Sequence, residues 1–131
     1  MIETPFASAK RIVVKTGSAL VAEHGQPRHA WLEKLAFDIV SLRSRGVQII
    51  LVSSGAVALG RKSVGNSVSN RLDQKQAAAA IGQLRLMSAI GQAFEPHDVT
   101  IGQALLTLGD TENRRRWLNA RATLETLLES G

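Results

Sequence analysis

The stretch VQIILVSSGAVALG (residues 47–60) drives an aliphatic, β-branched run into two hydroxyls and a glycine. Residues 47–52 are apolar except for Gln48, the pattern of a strand buried on both faces of a parallel sheet. Ser53-Ser54-Gly55-Ala56 then turns the chain without the Asn, Asp or Pro of an ordinary connector. AVALGRK (56–62) follows and predicts a short helix. A strand that ends on small residues at a helix start lets a ligand approach the backbone closely.

Upstream, KRIVVKTGSAL (10–20) repeats the theme. Ile12-Val13-Val14 reads as a strand, and Lys15-Thr16-Gly17-Ser18 ends it in a glycine-bearing turn. Between the two strands, Leu32, Leu35, Ala36, Ile39 and Leu42 recur at helical spacing over about 29–45. Arg43 and Arg45 suit the negative end of that helix, and Gly46 stands where a left-handed C′ residue belongs.

Downstream, SVGNSVSN (63–70) reads as a polar loop, and residues 72–94 as a long alanine-rich helix. Ala77, Ala80, Ile81, Leu84, Met87, Gly91 and Phe94 are expected along its packing face. Gly82 and Gly91 each cost a helix about 1 kcal/mol against Ala, which implies close approach or a break. VTIGQALLT (99–107) reads as a further strand and residues 115–129 as a final helix. The order β-α-β-α-α-β-α predicts an α/β sandwich with a mainly parallel sheet. An alternating fold would supply another strand after the last helix, so the 131 residues read as part of a larger domain, apparently truncated.

Composition narrows the function classes. The chain is 44% apolar and 21% charged, ordinary for a globular protein, and has no apolar run of the roughly 18–20 residues that span a bilayer. Its N-terminus lacks the basic-then-apolar order of a signal peptide, and without cysteine it has neither disulfides nor thiolate metal ligands. A cytoplasmic location and no membrane partner are the expectation. The net charge of +5 is scattered over Lys10-Arg11, Arg43, Arg45, Arg61-Lys62 and Arg114-Arg115-Arg116. Tyr is absent and no basic stripe carries stacking rings, so no nucleic-acid partner is expected; the charge suits small anionic substrates.

Ligands of open α/β sheets bind beyond the carboxyl ends of the strands. The turns at Lys15–Ser18 and Ser53–Ala56 would open on the same edge of a parallel pair. There, peptide N–H groups, a helix start and the Lys15 charge describe a phosphate or carboxylate cradle. The architectural alternative is that glycine only makes each corner while Ser54 caps the next helix. GRKSVGNS (60–67) has P-loop glycine spacing, but Asn66 replaces the lysine and a helix precedes it. LVSSG (51–55) matches only the latter half of a nucleophile elbow, because Leu51 replaces its first glycine. His24, His29 and His97 have no metal-ligand spacing and read as surface residues.

VVKTGSALV, LVSSGAVALGRKSVG, KQAAAAIGQLRLM, GQALLT and RRRWLNARATLETLL occur in an order and spacing that resemble the glutamate 5-kinase branch of the amino acid kinase family, from about Arg11 to Leu128. The resemblance implies a three-layer αβα sandwich and ATP-dependent phosphorylation of the L-glutamate γ-carboxylate to glutamyl 5-phosphate, with Mg²⁺, as the first step of proline synthesis. It implies that Lys15 is catalytic and contacts the ATP phosphates with Gly17, and that Ser54 and Gly55 bind glutamate. No metal ligand is assigned within the chain. It further implies that residues 1–131 are the N-terminal portion of a single kinase domain, without a PUA domain. The remaining glutamate-binding acids and amides, the second lysine and most of the nucleotide pocket are expected beyond it, and the complete enzyme is expected to be a homo-oligomer. Two other readings stand beside this one: a non-catalytic binding fragment, and another amino acid kinase such as acetylglutamate kinase.

Overall fold

The computed structural model describes residues 6–65 and 71–131. They fall into two compact units, one ending at Asp98 and the other comprising Val99–Gly131.

In the first unit, β1 (Arg11–Thr16) leads through a short helix α1 (Ser18–Val21) into a small hairpin of β2 (Ala22–Glu23) and β3 (Gln26–Pro27). The hairpin was not legible in the sequence. Its turn, His24-Gly25, has positive φ at both central residues, as in a type I′ connection. The helix α2 (His29–Ser44) follows and buries Leu32, Ala36 and Ile39. It ends as its sequence predicts. Gly46 adopts φ +80°, its N–H donates to the Arg43 carbonyl, and the Val47 N–H donates to that of Leu42, a Schellman closure. One residue on, the Gln48 N–H donates to the Lys10 carbonyl and opens the ladder of β4 (Gln48–Ser53) against β1.

The β1–β4 pair is parallel, in the register Ile12↔Ile49, Val14↔Leu51 and Thr16↔Ser53, so the α/β class with a parallel sheet is as expected. Burial on both faces is not. Val13 and Val52 on the opposite face are 60% and 46% exposed, because the helices described in this unit cover only one side. The expected strand over 99–107 is also absent. Extended chain becomes a strand only where a neighbour shares its ladder, and these residues find none among those described.

After β4 come α3 (Ala56–Val64), the long α4 (Leu72–Phe94) and a single 3₁₀ turn (Glu95–His97). Residues 66–70, in the expected polar loop and at the end of the P-loop-like stretch, lie outside the described residues. The extent of α4 is as predicted, but its packing face is not. The helix buries Ala78, Gly82, Leu86, Ala89, Ile90, Ala93 and Phe94, whereas Ala77, Ala80, Ile81 and Leu84 face outward. Only Phe94 belongs to both sets, and at about 100° per residue the buried face is centred roughly 150° from the expected one. The cause lies in α3. A Cβ built on Gly60 would collide with the Ala78 carbonyl, and one on Gly82 with the Ala56 carbonyl. The two helices cross at backbone contact, so the smallest residues must face each other there, and the larger aliphatic ones are turned aside. With Leu59 and Val21, both fully buried, this crossing forms the centre of the core. Each such side chain contributes about 1.5–3 kcal/mol by leaving water.

The second unit holds two helices, α5 (Leu108–Glu112) and α6 (Arg114–Glu129). Among the described residues no helix is long and apolar enough to cross a membrane.

Candidate functional site

The parallel pairing puts both sequence-predicted turns at one sheet edge, since Thr16 and Ser53 are register partners at the strand ends. Period-two alternation turns Thr16 to the same side as Ile12 and Val14, where it is buried. Its hydroxyl donates to the Ser53 hydroxyl (3.1 Å), which in turn donates to the Ser54 carbonyl (3.2 Å). The Ser54 N–H donates to the Thr16 carbonyl (3.1 Å). Two hydrogen bonds thus join the turns and a third braces the second turn internally; both Thr16 and Ser53 escaped the sequence reading. The signal was there in the odd-even pattern, which makes Thr16 a core-facing polar residue in need of a partner.

Beyond the edge lies an open concavity of about 640 Å³, whose lining includes Ser18, Ser53, Ser54, Gly55, Ala56 and Arg61. Gly55 forms its turn with φ +113°, a conformation that side chains strain, and is the N-cap of α3. No side chain caps this helix, so Ser54 does not play the capping part of the architectural alternative. Three features converge: the exposed Ser54 hydroxyl, the unsatisfied N–H groups of the first turn of α3, and the positive end of its dipole. Among the described residues, an anion placed here meets donors and no acidic side chain.

Gly17 adjoins Ser18 at the same edge. Its backbone is extended, and a Cβ built on it meets nothing within 4 Å, so glycine here clears space without relieving strain. Lys15 is placed differently. It pairs with Val52 on the open sheet face, is exposed, and does not line the concavity. The structure therefore brings Gly17, Ser54 and Gly55 together and leaves the Lys15 side chain at the end of β1 on the other face.

Arg61 was read only as part of the scattered charge. Val57 and Ala58 also line the concavity, and with Arg61 they share one face of α3 at spacings of three and four. Arg85 was also missed. From α4 its guanidinium donates to the Leu59 carbonyl and the Ser63 hydroxyl, each at 2.8 Å, and so fastens α3 beside the backbone crossing. Among the described residues no group of three or more His, Asp or Glu side chains could hold a metal ion.

Comparison with known proteins identifies the family of the chain. The sequence profile of the amino acid kinase family matches residues 10–131. A glutamate 5-kinase of Paramagnetospirillum magneticum is 54% identical over 130 residues, covering 98% of this chain and 35% of that protein. Those of Caulobacter vibrioides and Gluconobacter oxydans are 55% and 50% identical over 129 residues, covering 96% of this chain and 34% of theirs. The chain spans about a third of the length of the curated relatives it matches. With a profile match over nearly its whole length and a parallel α/β core, the chain belongs to the amino acid kinase family.

Proposed function

We propose that this chain carries the acceptor-binding side of an active site that transfers the γ-phosphoryl group of ATP to the γ-carboxylate of L-glutamate. The observation that carries the reading is the uncapped start of α3, where Gly55 and Ser54 face an open concavity at the sheet edge shared with the Lys15–Gly17 turn. The identity to glutamate 5-kinases supports glutamate as the acceptor. In that reaction a carboxylate oxygen forms a bond to the γ-phosphorus as the bond to the ADP oxygen breaks, giving glutamyl 5-phosphate and ADP. A carboxylate is already nucleophilic, so positioning and charge neutralisation are what the protein must supply. Ser54 and the amides of α3 hold the acceptor. Lys15 offsets charge on the phosphoryl oxygens, and the open backbone at Gly17 admits the phosphates. Mg²⁺ would add further neutralisation at the phosphates, with no ligand assigned here.

The first step of proline synthesis, a cytoplasmic setting and a homo-oligomeric complete protein belong to the same reading. So does a single kinase domain of which these residues are the N-terminal portion. The span of about a third of the relatives supports assigning turnover to the complete protein, with the 131 residues alone acting as a binding fragment. Transfer of labelled phosphate from ATP to glutamate, measured on the complete protein, tests the proposal. Lys15→Ala should lower kcat by about 10²–10³-fold, and Ser54→Ala should mainly raise the glutamate KM. Preferential phosphorylation of acetylglutamate, or wild-type kinetics in both variants, would overturn it.

A further inference from the structure

We infer that Arg61 is a specificity-determining residue that binds the α-carboxylate of the acceptor; the inference rests on the glutamate reading above. An amino acid that presents one carboxylate to the amides of α3 still carries a second, and the site needs a second anion-binding group to hold it. The Ser53 hydroxyl is already engaged with Thr16 and the Ser54 carbonyl. Among the described residues Arg61 is the cationic side chain in the lining of the concavity, and it makes no hydrogen bond or ion pair with them. Its neighbour Lys62 is turned elsewhere: a Cβ built on Gly25 meets the Lys62 stem at 3.1 Å, which places Lys62 over the hairpin turn.

The spacing along α3 fits. Five residues at about 1.5 Å rise put the Arg61 Cα roughly 7–8 Å along the axis from that of Ala56. Helical Cα–Cβ bonds tilt toward the N-terminus, the direction of the mouth, and Arg61 lines the concavity. Arg85 fixes this platform by tying Leu59 and Ser63, on either side of Arg61, to α4. A planar guanidinium on a fixed helix suits two-pronged recognition of a carboxylate.

The test uses the complete protein and compares glutamate with 4-aminobutyrate, which keeps the reacting carboxylate and the amine but lacks the α-carboxylate. Arg61→Gln should weaken glutamate binding, by calorimetry without ATP and by KM, about 10- to 100-fold. It should leave the ATP KM and the inhibition constant of 4-aminobutyrate unchanged, and Arg61→Lys should recover part of the loss. A rise in the ATP KM, an equal loss for both acceptors, or unchanged glutamate binding would each overturn the assignment. Wild-type protein that transfers no phosphate to glutamate would instead overturn the parent reading.

Discussion

The two units are held together by different kinds of interaction. In the unit ending at Asp98, order comes from contacts distant in sequence: β1 against β4, and α3 against α4 at backbone distance. In Val99–Gly131 no residue is buried, and Leu105, Leu106, Leu108, Trp117 and Leu118 are all exposed. Apart from the Leu127 side chain packed over Gly102, what stabilises that unit is local. The Asp110 carboxylate accepts from both the hydroxyl and the N–H of Thr107, each at 2.7 Å. Asn113 caps α6 by accepting from the N–H groups of Arg115 and Arg116. Arg121 reaches Glu125 at 2.9 Å and lies over the Trp117 ring. Short helices stabilised only by caps and i,i+4 pairs are marginal in water. A site that must hold its groups in place is therefore better built on the first unit than on the second.

The sharpest way to break this contrast is inside α4. Leu86 is buried and Leu84, two residues away, is 77% exposed. Leu86→Ala should cost the first unit about 3 kcal/mol in denaturant melts, and Leu84→Ala less than about 0.5 kcal/mol. Equal effects would refute the assigned packing face. Gly82→Ala comes next. Helix propensity alone favours Ala by about 1 kcal/mol, but the Ala56 carbonyl occupies the space its Cβ needs. A net loss of about 2 kcal/mol is expected, and any gain would mean that the crossing is loose.

In the second unit, Asn113→Ala should remove about 1 kcal/mol from α6. Hydrogen exchange should detect it there without a change in the protection of β1 or β4. The smallest effect concerns pH. The Thr107 hydroxyl holds the Asp110 carboxyl below its ordinary value of 3.8, aided by the Thr107 N–H and by Arg116 and opposed slightly by desolvation. The ionised cap is thus fully present above that ordinary value and is lost as pH falls through the lower folded value. The Thr107 amide resonance should report that acid titration, and Asp110→Asn should abolish it.

What could be read from the sequence follows the same division. The ends of α2 and α4, the Gly46 stop and the pairing of two glycine turns were legible, because each depends on a few neighbouring residues. The face of α4 was not. Periodicity ranks faces by hydrophobicity, but this one is chosen by the space Gly60 leaves on another helix. Ser54 and Gly55 were found through turn chemistry. Arg61 and Arg85 were not, because a guanidinium acquires its role from whatever the fold places within its reach.

The crossing at Gly60 and Gly82 has a mechanical consequence. With backbone seated on backbone, α3 cannot slide along α4 without collision, and the Arg85 bonds to Leu59 and Ser63 pin the half of the helix away from Gly55. The position of the amides at the Gly55 end is thus set from α4, so an enlarged residue at the crossing would register at the mouth of the concavity as well as in the core.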